Sequence, residues 1–408
     1  MSDEPRMTLI GKLFVLLFIA GCFYGAYYFF MQQSPTGPQG SSNSNAVNAS
    51  TSPSTNPSTP NIAQSVSIGI AYGTEKKRWL EWALDQFKST PDGKRIAVDL
   101  IPMGSLEGAR AALDGDKRIN VWSPASTLYE DIFVSEWQLK YSSKGIARKE
   151  VLALTPMVFV FWEQRHAAFL AKYKTVSFTS VGEALKEKGG WDSIAGKPEW
   201  GQFKFGHTHP NQSSSGLMTL VLMSYGFHGK SRALDLKDVL SVQFQTWMTE
   251  FEKGVGGMSN STGTLMRDMV LRGPSSLDAV FVYENLAIEY LKNAEGRWGE
   301  LRVAYPDKNM WNENPYYILN TPWTSAEQSK AAETFLQFLL RDDIQSNALS
   351  VHGFRPGNPN VPVKSADSPF TVYSKYGLLV DLPTVCDPPS ADVVNNLLVS
   401  WQRSAGNR

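Results

Sequence analysis

The sequence predicts an α/β protein in two lobes with mixed, mostly parallel sheets, carried behind a transmembrane helix and a disordered linker. Three observations predict it. Short apolar runs recur, each followed by a small-residue turn and a helical pattern, the signature of strand, loop and helix in succession. The chain has 408 residues, and the stretch beyond residue 64 is longer than one ordinary core fills. Hydrophobic residues make up 42% against 19% charged, enough to supply two such cores.

The N-terminal elements come first. No charge occurs between Lys12 and Glu75, and within that window Leu13 to Met31 is almost wholly apolar. At about 1.5 Å per residue this stretch rises close to 30 Å, the thickness of a bilayer core. Arg6 and Lys12 precede it and nothing basic comes soon after it, which puts the N-terminus in the cytoplasm and the rest outside. A competing reading takes Ile19-Ala20-Gly21-Cys22 as a lipoprotein box with Cys22 lipidated. Apolar and aromatic residues continue past Cys22, which favours an uncleaved anchor over residues 13–31. Residues 34–64 are rich in Ser, Thr, Asn, Pro and Gly, carry no charge, and read as a disordered linker. A coil of about 30 residues spans roughly 30 Å.

The folded part begins near residue 65. Val66–Ile70 alternates as a strand, and after Ala71-Tyr72-Gly73-Thr74 comes a helix in which Trp79, Ala83 and Phe87 share a face. Ile96–Ile101 and Ile119–Trp122 are the next strands, each leading through a small-residue turn into a helix. Val151–Trp162 is a long apolar strand whose Pro156 marks an edge or a bend. Phe203–Gly206 leads through His-Thr-His-Pro-Asn-Gln-Ser-Ser-Ser to a helix, and Leu277–Tyr283 leads directly into another.

Composition excludes several functions. Lys+Arg and Asp+Glu are 39 each, so the basic surplus of a general nucleic-acid binder is missing. Two cysteines, Cys22 and Cys386, exclude a disulfide framework and a Cys-based zinc finger. Cys386 reads as a buried lone thiol. No HExxH, GxSxG or Walker sequence occurs, and no cofactor motif is present. His207-x-His209, with Ser213–Ser215 nearby, leaves a metal-dependent hydrolase as the weakest alternative; the expectation is a binding protein with no metal and no catalytic residue.

In open α/β sheets ligands bind beyond the carboxyl ends of strands, where helix N-termini offer unpaired N–H groups and partial positive charge. Here those junctions are rich in hydroxyls: Thr74, Ser105, Ser123 and Ser126, Asn211 with Ser213–Ser215, and Ser259–Thr262. Each alone is a good helix cap. Convergence of several on one cleft would make a site for a small polar solute.

At these residues the chain resembles a family. Residues 205–220, FGHTHPNQSSSGLMTL, are similar to the second-lobe ligand loop of extracellular, periplasmic-type solute-binding proteins of the molybdate/sulfate-binding kind. LDAVFVYENLAIEY (277–290) resembles the strand–Tyr–Glu–helix junction of a membrane-anchored branch, YPDKNMWNENPYYIL (305–319) its return strand, and 331–345 with GFRPGNP (353–359) its terminal helix and Arg-Pro segment. The resemblance implies a type II clamshell with lobe one at 65–158 plus 306–408 and lobe two at 159–305, closing on its ligand. It implies cleft contacts from Thr74, Ser105, Ser123 and Ser126 in lobe one and from Ser213, Ser214, Ser215, Tyr283 and Glu284 in lobe two, with Trp311 and Asn312 near the hinge. An inward-facing Glu284 would repel an oxyanion and select a cation or hydroxyl donors; its alternative is a first-turn helix glutamate. The implied partners are a small polar solute and an ABC-type permease, or, if the fold is reused for assembly, another cell-surface protein.

Overall fold

The computed structural model describes residues 65–294 and 297–405. The expected anchor, Cys22 and the linker lie outside the described residues. Among the described residues no helix is long and apolar enough to cross a membrane.

Twelve strands are described. They are β1 Val66–Gly73, β2 Ile96–Met103, β3 Val121–Ser123, β4 Ile146–Val151, β5 Ala153–Leu154, β6 Met157–Trp162, β7 Phe205–Thr208, β8 Gly257–Ser259, β9 Ala279–Tyr283, β10 Leu301–Ala304, β11 Pro315–Leu319 and β12 Arg355–Pro356. Two five-stranded sheets form, ordered β2-β1-β3-β11-β4 and β10-β6-β9-β7-β8. In the first, β1 runs parallel to β2 and β3, while β11 runs antiparallel to β3 and β4. In the second, β7 runs parallel to β8 and β9, while β6 runs antiparallel to β9 and β10. Helical crossovers give the parallel pairs. The antiparallel pairs of both sheets all involve β11 or β6, the strands that flank the passages between the sheets.

The chain passes between the sheets at 152–156 and again at 305–314. The apolar run 151–162 is therefore not one strand: β4 ends at Val151, β5 pairs antiparallel with β12 in a small two-stranded sheet, and after Pro156, which lacks a ladder donor, β6 starts at Met157, paired with Tyr283. The two passages are stitched where Thr155 and Asn312 exchange backbone hydrogen bonds, each 3.0 Å long.

Alternation sets the packing. Ile68, Ile70 and Tyr72 of β1 pack against Trp79, Phe87, Phe335 and Phe338 on one face of the first sheet. Trp122, Phe133, Trp137 and Tyr317 stack on its other face. The second sheet is buried around Phe159, Phe178, Phe205, Phe251 and Phe281, and every residue of β6 is buried.

The C-terminal segment crosses the molecule. The helix Ala391–Ser404, within the range the sequence reading assigns to lobe one, packs on Ser214–His228, Leu236–Val239 and Val242–Gly254 beside the second sheet. It also packs on Thr127–Tyr129 and Glu130–Tyr141 beside the first. Its buried face is Val393, Val394, Leu397, Leu398 and Trp401. Cys386, just before it, is a buried free thiol whose pKa burial pushes up to about 11.

Candidate functional site between the sheets

The carboxyl ends of β1 and β2 face those of β7 and β8, so the helix N-termini of the two lobes meet. The approach is close enough to need glycine: a Cβ on Gly104 would lie 2.4 Å from the Gln212 carbonyl oxygen. A Cβ on Gly263 would lie 3.2 Å from that of Thr74.

On the second-lobe side the hydroxyls converge. Ser215 Oγ lies 2.5 Å from Thr208 Oγ1, 2.6 Å from Thr262 Oγ1 and 3.0 Å from Ser213 Oγ. This buried cluster ties the start of the helix Ser214–His228 to β7 and to the helix Thr262–Arg272. Ser214, the first residue of its helix, is also buried. Tyr283 ends β9 fully buried, and its hydroxyl makes no hydrogen bond among the described residues. Burial, then the Glu75 charge, push that phenol well above its ordinary pKa, with Ser215 acting in the opposite sense.

On the first-lobe side the turn after β1 carries Thr74, Glu75 and Lys76. Lys76 is fully buried; its Nζ donates to Glu75 Oε1 at 2.5 Å and to the Pro124 carbonyl and Asn314 Oδ1 at 3.1 Å each. Burial lowers its pKa, and the neighbouring Glu75 carboxylate opposes the shift. Asn285 Nδ2 donates to the Glu75 carbonyl at 3.2 Å, so the turn is held from the other lobe.

Beside these groups lies a cavity of about 510 Å³ with walls from both lobes: Thr74, Glu75, Lys77, Arg78, Glu81 and Pro102 on one side, Gly263, Thr264, Arg267, Leu286, Glu289 and Tyr290 on the other. Arg78 spans it, 3.3 Å from the Tyr290 hydroxyl and 3.7 Å from Glu289. A second hollow between the lobes, of about 420 Å³, is lined by Arg110, Tyr129, Glu136 and Asn211 and roofed by the C-terminal helix.

The remaining expected contacts are elsewhere. Ser105 Oγ accepts from Ala125 N–H, Ser123 Oγ donates to the Pro315 carbonyl, and Ser126 caps the turn at Leu128, all within the first lobe. Asn211 lies under the C-terminal helix, where its amide donates to Gln402 Oε1 at 2.6 Å and its carbonyl accepts from Arg110. Asn312 donates to the Thr155 carbonyl at the passage between sheets.

Glu284 is buried and paired within the fold. Arg355 donates to both carboxylate oxygens, and the Tyr305 hydroxyl donates to one of them. Burial raises the Glu284 pKa, and these donors work against it. Trp311 lies against the same guanidinium, 5.1 Å from its ring centre. Glu75, by contrast, lines the cavity.

His207 and His209 do not form a pair. His207 lies in β7, not in a loop, with Nε2 3.2 Å from Glu252 Oε1 in the second-lobe core. His209 packs edge-on against Trp401, ring centres 4.7 Å apart. Among the described residues no group of three His, Cys, Asp or Glu is placed to hold a metal.

Sequence reasoning did not single out Glu75, Lys76 and Arg78. One signal was available: the helix Lys77–Lys88 starts on basic residues, with no acidic residue in its first turn. Cations there oppose the helix dipole unless something else engages them.

Comparisons with known proteins agree with the two-lobed fold. A family model described as bacterial extracellular solute-binding protein matches residues 68–355. A comparison with curated protein sequences finds no match. Among solved structures, the sulfate-binding protein SubI from Mycobacterium tuberculosis H37Rv is similar, with TM-score 0.53 and 16% identity over 82% of this chain and 96% of that one. A periplasmic thiamin binding protein gives TM-score 0.56 at 12% identity, over 84% and 96%. Iron-bound HitA from Pseudomonas aeruginosa gives TM-score 0.54 at 14% identity, over 84% and 99%. At these identities the likeness is one of fold. The family match stops at Arg355, before the C-terminal helix.

Proposed function

Since the chain belongs to the bacterial extracellular solute-binding proteins, we propose that it is held at the outer face of the cytoplasmic membrane by residues 13–31 and captures a small polar solute between its lobes. The domain limits proposed are 65–158 with 306–408 for lobe one and 159–305 for lobe two. Such proteins bind; they do not catalyse. The observation that carries the reading is the 510 Å³ cavity walled by helix starts of both lobes. Thr74, Ser213, Ser214, Ser215 and Tyr283 are the proposed polar surround, and an ABC-type permease is the proposed recipient. Native mass spectrometry of the full chain, extracted mildly from its own membrane, tests this: an adduct of small-molecule mass is expected, and a bare protein mass with no response to any solute contradicts it.

A second reading, reuse of the fold to dock another cell-surface protein, is favoured by the C-terminal helix. That helix lies beyond the family match and packs on elements of both lobes. Val399→Lys, on the exposed face of that helix and away from its buried side, separates the readings. A solute-binding protein retains its ligand affinity, while a docking module loses only its partner.

A further inference from the structure

The charge around the interlobe cavity carries more than its position. Glu75 is 4% exposed, and its carboxylate is held on one side only, through Oε1 and Lys76. Among the described residues its second oxygen carries no hydrogen bond, and the residue lines the cavity. That oxygen is not among the buried polar atoms left without a partner, so it is open to a donor entering the cavity. Glu75 thus presents one free carboxylate oxygen where the lobes meet.

The opposite charge is present on the rim. Arg78 lies over the Tyr290 ring, 4.9 Å from its centre, and reaches across to the second lobe. Its carboxylate neighbour Glu289 also accepts from His352 Nδ1 at 2.8 Å, so the guanidinium is only partly neutralised. Three carboxylates (Glu75, Glu81, Glu289) and three cations (Lys77, Arg78, Arg267) line the cavity, a net charge of zero.

We infer that the cavity takes a small zwitterion of the amino-acid or short-peptide class, its ammonium on Glu75 and its carboxylate towards Arg78. This rests on the proposed solute-binding function and specifies its ligand. The wall carries both signs in equal number, which a zwitterion matches at both of its ends and an ion of one sign at only one. A neutral sugar would bring no charge to either end of the cavity. About 510 Å³ is room for a molecule of one to three residues.

The test is a thermal-shift and calorimetric titration of the full chain with each of the twenty L-amino acids and a set of dipeptides, alongside sulfate, molybdate, ferric citrate and glucose. At least one zwitterion is expected to bind, and Glu75→Gln to weaken it about tenfold or more, as for loss of a hydrogen bond to a charged group. Because Glu75→Gln strands the buried Lys76, the double variant Glu75→Gln/Lys76→Met is measured beside it. Arg78→Met, half-exposed and outside the core, is expected to erase the preference for the amino acid over its decarboxylated amine. Binding of sulfate, molybdate, iron or glucose with no zwitterion response overturns the ligand class but leaves solute binding standing. Undiminished zwitterion binding in the double variant overturns the role of Glu75. Silence from every probe, with no co-purified adduct, removes both readings.

Discussion

Arg355 holds both carboxylate oxygens of Glu284, Nε to Oε2 at 2.9 Å and Nη2 to Oε1 at 2.8 Å, and so fastens the strand after the last first-lobe helices to the helix that begins after β9. Nη2 also donates to the Leu379 carbonyl, so the C-terminal segment is fixed at the same point. The pair is buried, with side-chain exposures of 6% and 0%. Removing one partner leaves the other charge in the interior, which costs about 3 kcal/mol or more, while removing both costs much less. Glu284→Gln is therefore expected to lower unfolding free energy by about 3 kcal/mol, and Glu284→Gln/Arg355→Met to regain most of it. Denaturant titration reads this. If Glu284→Gln instead leaves stability intact and changes ligand affinity, the carboxylate faces the cleft after all.

His207 and Glu252 supply a pH dependence. Both are fully buried. Burial favours neutral imidazole, but the Glu252 carboxylate and the Thr208 carbonyl outweigh it, and the His207 pKa is raised. The folded state then binds more protons than the unfolded one between the ordinary value of about 6.5 and the raised value, so stability falls with rising pH across that interval. The contribution is complete below about 6.5 and is lost above the folded pKa. Melting curves from pH 6 to 9 should show this fall, and His207→Gln should flatten it. A slope that persists in His207→Gln assigns the effect to another group.

Trp401 anchors the C-terminal helix from a buried position against His209. Trp401→Ala is expected to cost about 3 kcal/mol or more. It should also raise hydrogen exchange in the helix and along Ser214–His228, where the helix packs. Full protection of both segments in the variant would show that the helix is held without this side chain.

The mature N-terminus is a separate question. Apolarity running past Cys22 leads us to expect that residues 13–31 stay attached. Intact-mass measurement of the membrane-extracted protein is the check, and a chain beginning at Cys22 with a diacylglycerol adduct would establish the lipoprotein reading instead.

Much of the fold was legible because it rests on local periodicity. The alternation of Val66–Ile70 and the shared face of Trp79, Ala83 and Phe87 both reappear as buried positions. The run 151–162 misled, because apolarity alone cannot show that the chain leaves the first sheet at Val151 and enters the second at Met157. The site was legible in part. The second-lobe hydroxyls Ser213 and Ser215 do gather with Thr262, but Ser105, Ser123 and Ser126 serve as caps and braces within their own lobe. A hydroxyl at a helix start has the same sequence signature in either role. Glu75 and Glu284 look alike in sequence, since each begins a helix region after a strand; only the fold shows that Arg355 holds both oxygens of Glu284 while Lys76 holds one of Glu75.

Closure of the lobes around a solute is the central claim, and Gly104 offers the most direct measurement of it. Its hydrogen is what allows the first lobe to come against the Gln212 carbonyl. Gly104→Leu places a wedge at that contact without touching the cavity wall. We expect the dissociation constant of the co-purified solute, measured by calorimetry, to rise more than tenfold, a loss of about 1.4 kcal/mol or more. An unchanged dissociation constant in Gly104→Leu would mean that binding does not draw the lobes together, and would contradict the account.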